Sequence, residues 1–226
     1  MFNDMHQSEN TAIIVAAGNG TRFNTEIPKQ FLRLEGREVL SYSVKSFFTH
    51  GLIHEVIIVT SREYLERVRH GYPHCQVVEG GATRQDSVFN GLQACAANTQ
   101  HVLIHDAARP LVPGRILDDC FTSLEDHDGV APALASSDSM VILDNTGFSN
   151  LSREHLKIVQ TPQCFHIDIL KRAHASGKVD TDEMGLVKQA IPEARLTFVD
   201  GAPESMKITH KMDLEIAAIH LRSMLT

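Results

Sequence analysis

The segment Ala12-Ile13-Ile14-Val15-Ala16-Ala17-Gly18-Asn19-Gly20-Thr21-Arg22 decides how this chain folds. Its six leading apolar residues show no polar alternation, which is the mark of a short strand buried on both faces. A glycine-rich turn follows at once. The apolar pattern returns between Glu55 and Thr60 with Val56, Ile57, Ile58 and Val59, and between His101 and Asp106 with Val102, Leu103 and Ile104. Gly129 to Leu134 and Leu196 to Val199 are further strand candidates.

Helical spacing fills the intervals. Leu40, Val44, Phe47 and Phe48 share one face, as do Val88, Leu92, Cys95 and Ala96, and Ile116, Leu117, Cys120, Phe121 and Leu124. Pro113 suits the start of the third helix. Asp182 to Ala190 is a shorter candidate, and Leu214, Ile216, Ala217, Leu221 and Met224 make a C-terminal amphipathic helix. Strands alternating with helices predict βαβ units. The fold class is therefore α/β, a three-layer α/β/α sandwich with a Rossmann-like, mostly parallel sheet. Right-handed crossovers place ligands beyond the carboxyl ends of its strands.

Residues 136–160 break this rhythm. Met140-Val141-Ile142-Leu143, the polar turn Asp144-Asn145-Thr146-Gly147, and Leu156-Lys157-Ile158-Val159 read as two strands of a projecting β-arm. An apolar arm needs a partner surface, and a homodimer exchanging arms is the economical expectation. No linker separates independent domains, so 1–226 reads as a single domain containing that arm.

Composition narrows the function. The chain has 226 residues and a net charge of −7, with 42% hydrophobic and 22% charged residues. Disorder is excluded, and the acidic balance argues against a nucleic-acid binder, leaving room for a local anion pocket. Cys75, Cys95, Cys120 and Cys164 form no CxxC pair, so they read as buried or half-buried thiols of a reducing compartment. No apolar run approaches the roughly 20 residues that span a bilayer, and Met1 to Asn10 lacks a signal-peptide core. A cytoplasmic protein without membrane partners is expected.

Four groups of residues can handle anions. In the first, the glycines of Ala16-Ala17-Gly18-Asn19-Gly20 let backbone N–H groups approach a phosphate, and Arg22 and Lys29 add charge. Phe23 breaks the G-x-G-x-x-G dinucleotide fingerprint, and no Gly-Lys-Ser/Thr follows for a Walker A loop. The second, Gly80-Gly81-Ala82-Thr83-Arg84-Gln85-Asp86-Ser87, precedes a helix whose N-terminal N–H groups suit anions. Thr83 or Asp86 could instead cap that helix, and Ser87 could meet a nucleobase edge. The third, His105-Asp106-Ala107-Ala108-Arg109-Pro110, puts Asp106 at a strand end, suited to Mg²⁺ beside phosphates. Arg109 could pair with Asp106 or serve the ligand, while His101 and His105 read as structural. The fourth is scattered: Arg153, Thr161-Pro162-Gln163, Thr181-Asp182-Glu183 and Lys207-Ile208-Thr209.

In order and spacing these segments resemble the nucleotidyltransferases that open A-A-G-x-G-x-R…P-K-Q. The closest resemblance is to the 2-C-methyl-D-erythritol 4-phosphate cytidylyltransferase family, with ribitol-5-phosphate cytidylyltransferase as a near sister. It runs from Ala12 to Leu221 and implies the sandwich of nucleotide-diphospho-sugar transferases. It also implies transfer of CMP from the co-substrate CTP to a small polyol phosphate, with Mg²⁺ as cofactor and pyrophosphate released. The resemblance implies catalytic roles for Arg22, Lys29 and Lys207, and a metal-binding Asp106. It implies a cytidine pocket at Ala16, Ala17, Gly18, Gly20, Gly81, Asp86 and Ser87, and acceptor contacts from Arg109, Arg153, Thr181 and Lys207. Arg153 would sit on an arm crossing to the other subunit. One region departs from the family pattern. Ser136-Ser137-Asp138-Ser139-Met140-Val141 stands where an Asp-Thr-Ile/Leu-Lys run is usual, and the acceptor that the resemblance implies is 2-C-methyl-D-erythritol 4-phosphate, with ribitol 5-phosphate or a related alditol phosphate as the alternative.

Overall fold

β1 (Glu9–Ala16) lies between β4 (Glu55–Thr60) and β6 (Thr99–Asp106), parallel to both. Its side chains divide between two cores. Ala12, Ile14 and Ala16 face one; Ile13 faces the other. That division is why the run shows no polar alternation. Ile13 and Ile14 are fully buried, each worth about 1.5–3 kcal/mol in transfer free energy.

This computed structural model describes residues 9–18 and 27–224. After β1 come the two-residue strands β2 (Arg33–Leu34) and β3 (Arg37–Glu38), then α1 (Val39–Phe48), β4 and α2 (Leu65–Gly71). β5 (Gln76–Glu79), α3 (Arg84–Ala94), β6, α4 (Gly114–Leu124) and β7 (Gly129–Ala135) follow. The remainder is β8 (Met140–Asp144), β9 (Gly147–Leu151), β10 (Lys157–Val159), β11 (Gln163–His166), α5 (Ile167–Ala175), α6 (Glu183–Ala190), β12 (Leu196–Asp200) and α7 (Lys211–Ser223).

The main sheet has eight strands in the order β10-β7-β11-β6-β1-β4-β5, with β12 also on β7. The pairs β1–β4, β1–β6, β4–β5 and β7–β12 are parallel; β10 and β11 run antiparallel to their neighbours. α1, α2 and α4 bury side chains in one core, and α3, α5 and α6 in the other. The expected α/β/α sandwich is what the chain forms. Among the described residues no helix is long and apolar enough to cross a membrane, and the four cysteines are free thiols.

The arm differs from its expected pairing. β8 pairs with β9, from Met140 opposite Leu151 to Asp144 opposite Gly147. Lys157–Val159, the strand expected to pair with Met140–Leu143, joins Ala133–Ala135 in the main sheet instead. Turn chemistry explains the difference. The Asp144 carboxylate accepts from the Thr146 N–H (2.7 Å) and hydroxyl (2.6 Å), and Gly147 takes φ 137°. The chain therefore reverses at once, and the residues directly after the turn become the partner strand. The sequence pattern does not predict α2, β11 or α5 either. α2 buries only Val68, too little for a readable stripe.

Candidate active site

The carboxyl ends of β1, β4, β5 and β6 open onto one cavity of about 710 Å³. Its first wall is the start of the glycine-rich loop. The Gln30 amide donates to the carbonyls of Ala16 (2.6 Å) and Gly18 (3.1 Å), fixing that backbone where it enters the cavity. Gln30 is buried because Pro28 begins a single 3₁₀ turn, Lys29–Phe31, against the strand end.

The second wall is Gly80-Gly81. A Cβ on Gly80 would lie 2.6 Å from the Ala17 Cβ, and one on Gly81 would lie 2.2 Å from the Asp86 Cβ. Gly80 thus lets the two loops meet closely, and Gly81 lets its own segment fold tightly onto the first turn of α3. Ser87 Oγ accepts the Gly81 N–H (3.1 Å) and donates to the Thr83 carbonyl (2.9 Å). Thr83 and Asp86 form a reciprocal capping box, each side chain accepting the other's backbone N–H at 3.0 Å.

The third wall carries the charge. Asp106 ends β6, and its backbone N–H donates to Thr161 Oγ1 (3.1 Å). The Thr161 hydroxyl donates to His105 Nδ1 (3.0 Å), and His105 Nε2–H donates to the Arg109 carbonyl (3.0 Å). The acceptor-only carbonyl sets this tautomer. Burial lowers the His105 pKa to about 4, so the imidazole is neutral and structural. The Asp106 carboxylate faces three cations. Lys207 Nζ lies 2.7 Å from Oδ2, Arg84 Nε 3.2 Å from Oδ1, and Arg109 Nε 3.8 Å from Oδ2. Burial pushes this carboxyl up, but Arg84, Lys207 and Arg109 outweigh it and hold the group well below the usual carboxylate range. Lys29 Nζ donates to the Ile208 carbonyl (2.7 Å), so Lys29 and Lys207 are held by one short loop. That loop is in turn anchored by the Ile208 N–H on the Ala108 carbonyl (2.8 Å).

The start of one glycine-rich loop, the Gly80-Gly81 backbone and a cluster of cations thus meet at the carboxyl edge of a parallel sheet, the edge at which such sheets bind ligands. Residues 10–223 match the family model of 2-C-methyl-D-erythritol 4-phosphate cytidylyltransferase. The chain belongs to that family. It is accordingly an enzyme of the CTP-dependent nucleotidyltransferase class. A relative named 2-C-methyl-D-erythritol 4-phosphate cytidylyltransferase from Thermotoga neapolitana is 36% identical over 214 residues, covering 93% of this chain and 96% of the relative. One of the same name from Clostridium novyi is 35% identical, covering 97% and 99%. The crystal structure of 4-diphosphocytidyl-2C-methyl-D-erythritol synthase from Anaerococcus prevotii superposes with a TM-score of 0.85 at 25% identity, covering 95% of this chain and 96% of that one.

Set against this cytidylyltransferase fold, the sequence-derived residues divide into three groups. Ala16, Ala17, Gly18, Lys29, Gly81, Ser87, Asp106 and Lys207 line the cavity. Gly20 and Arg22 lie outside the described residues. Asp86, Arg109, Arg153 and Thr181 are not part of the lining. The Asp86 carboxylate is taken up by the helix cap. Arg109 stands behind Asp106 and donates from Nη1 to the Ser205 carbonyl (2.8 Å); its buried Nε has no hydrogen-bond partner among the described residues. Thr181 is exposed on the turn before α6, its N–H on Asp180 (2.6 Å). Arg153 is exposed after β9, donating to the Ser137 carbonyl (3.2 Å).

Arg84, Gln30 and Glu183 have no role assigned from the sequence. Arg84 lines the cavity and bridges Asp106 to the buried Glu183. A signal existed: a cation in the first turn of a helix opposes the macrodipole, so Arg84 at the start of α3 needs anionic partners. Glu183 sits favourably at the start of α6 and gave no such signal.

Proposed function

We propose that this enzyme transfers CMP from CTP to 2-C-methyl-D-erythritol 4-phosphate and releases pyrophosphate. The observation that carries this reading is the gathering of Lys29, Lys207 and Asp106 with the backbones of Ala16–Gly18 and Gly81 around one cavity. A phosphate oxygen of the acceptor, already anionic at neutral pH, attacks the α-phosphorus. The new P–O bond forms as the bond to the bridging oxygen breaks, and that electron pair leaves with pyrophosphate. No general base is required, which suits a site whose buried histidine has both ring nitrogens engaged, by the Thr161 hydroxyl and the Arg109 carbonyl. The obstacle is repulsion among anions, and fixed cations offset it in a partly desolvated cavity.

Lys29 and Arg22 would grip the triphosphate and Lys207 would meet the acceptor phosphate, holding the nucleophile in line. Gly81, Ser87 and the Ala16–Gly18 backbone would seat the cytidine. Asp106 fits a Mg²⁺ ligand. Two carboxylates line the cavity, Asp106 and Glu79; Glu79 pairs with Arg62, and no group of three or more His, Cys, Asp or Glu able to hold a metal occurs among the described residues. Mg²⁺ usually combines one or two carboxylates with substrate phosphates and water. When bound, the ion neutralises charge on the triphosphate oxygens.

The chain acts as a single nucleotidyltransferase domain, and the β8–β9 hairpin is its dimerisation arm. Leu143 and Phe148 are 76% and 68% exposed there, so a homodimer that covers this hairpin removes apolar surface from water. Arg153 and Thr181 then contact the acceptor, with Arg153 delivered to the partner's cavity. The test is pyrophosphate release from CTP and Mg²⁺ with methylerythritol phosphate, ribitol 5-phosphate or no acceptor. Release with the first alone is expected; release only with ribitol 5-phosphate overturns the acceptor assignment.

A further inference from the structure

Asp106 is held from a second layer of charge. Arg84 donates from Nε to Asp106 Oδ1 at 3.2 Å and from Nη1 to both oxygens of Glu183 at 2.8 Å. Arg84 lines the cavity, whereas Glu183 does not and is only 1% exposed. A buried ion pair of this kind is a poor way to gain stability, because the desolvation of both charges offsets their attraction. Apolar side chains of similar volume would hold α3 against α6 at least as well.

What the pair does supply is geometry. Glu183 holds Nη1 with both oxygens while Asp106 Oδ1 holds Nε, so two nitrogens of the guanidinium are anchored on two carboxylates and its orientation is restricted. Lys207 holds the other oxygen, Oδ2, at 2.7 Å. The carboxylate is thus fixed at both ends before any ligand arrives. The pair also balances charge. Glu183 shares the Arg84 guanidinium; without it, Asp106 would be the sole carboxylate partner of Arg84 and would be less available to a cation in the cavity.

We propose that Glu183 and Arg84 are positioning residues for CMP transfer: Glu183 anchors Arg84, and Arg84 sets the orientation and the charge availability of Asp106. This rests on the reading of Asp106 as the metal-holding carboxylate. It makes Glu183 matter to a reaction whose components it never touches. Groups that orient a metal ligand typically change affinity or activity by about 10–100-fold when removed.

The experiment is a double-mutant cycle in the full chain with Glu183→Gln, Asp106→Asn and the two combined. It is read as kcat/KM for CMP transfer and as Mn²⁺ affinity with CTP and no acceptor, followed by electron paramagnetic resonance. Glu183→Gln is expected to lower kcat/KM and weaken Mn²⁺ binding by about tenfold each. Added to Asp106→Asn it is expected to cost no more than about twofold further, because its effect passes through the missing carboxylate. A purely structural role would make the two losses multiply. Arg84→Gln/Glu183→Gln replaces the buried charges by two amides and carries the same comparison if Glu183→Gln fails to fold. Multiplying losses, or unchanged Mn²⁺ affinity, overturn the positioning role while leaving the Asp106 assignment standing. Wild-type turnover in Asp106→Asn overturns both.

Discussion

Lys29 is held by the fold at the place where the proposed chemistry needs a cation. Its ammonium donates to the Ile208 carbonyl at 2.7 Å while lining the cavity. One hydrogen bond of this kind contributes little to stability, on the order of 1–3 kcal/mol, whereas a cation facing a charge-transferring centre can account for a large part of the rate. Lys29→Ala is therefore expected to keep its cooperative melt but to lose roughly 10²-fold or more in kcat; steady-state kinetics with CTP and the acceptor check this, and an unchanged kcat would remove Lys29 from the mechanism. Gly81 acts in the opposite way, through what it lacks. A Cβ there meets the Asp86 Cβ at 2.2 Å. Gly81→Ala is expected to cost about 1–3 kcal/mol by overpacking and to raise the KM for CTP, since the displaced loop includes the N–H that bonds Ser87. Urea unfolding and CTP titration read the two effects separately.

At the scale of elements, the hairpin β8–β9 stands apart from the sandwich. Its pairing is internal, and its apolar side chains lie on the surface of the single chain. With this hairpin as the proposed dimer arm, a dimer of the wild type and a monomer of Leu143→Asp/Phe148→Asp are expected in light scattering. CTP binding should stay within about twofold of wild type, because that cavity lies on the main sheet; turnover with the acceptor should fall by about tenfold or more, as expected when a positioning group is lost. A dimer that survives the double substitution would place the interface elsewhere.

For the whole molecule, acid stability reports groups buried without their proton. His174 on α5 is pushed down to about 4 by burial first and then by the Arg84 charge, with Asp86 acting in the opposite sense. Its Nε2 is buried without a partner among the described residues, and its ring stacks on Phe89 at 6.1 Å between centroids. An unfolded histidine binds its proton near pH 6.5. Above that pH both states are neutral and this site adds no pH dependence. As the pH falls from about 6.5 toward 4 the unfolded chain takes up a proton that the folded chain refuses, so stability is lost across that window. Between pH 7 and pH 5 the wild type is expected to lose about 1 kcal/mol more than His174→Phe, allowing for solvent screening. Urea midpoints at both pH values provide the check; parallel slopes would exclude His174.

Much of this was legible from residue order. Ala12–Ala17 was readable as a doubly buried strand because burial on two faces leaves no polar positions. Gly80-Gly81 and the strand-terminal Asp106 could be placed at the carboxyl edge because parallel crossovers have one hand. The pairing of Lys157–Val159 with Ala133–Ala135 was not readable, since an exposed three-residue strand carries no periodicity to distinguish one partner from another. The contacts among Asp106, Arg84 and Glu183 were not readable either. They join β6, α3 and α6 across 99 positions of chain between Arg84 and Glu183, and whether a carboxylate buried there is paired or stranded depends on how the helices pack. Local spacing thus determined the elements and the loops that line the cavity; tertiary packing alone decided which charges meet, because an ion pair is a property of distance in space and not of distance along the chain.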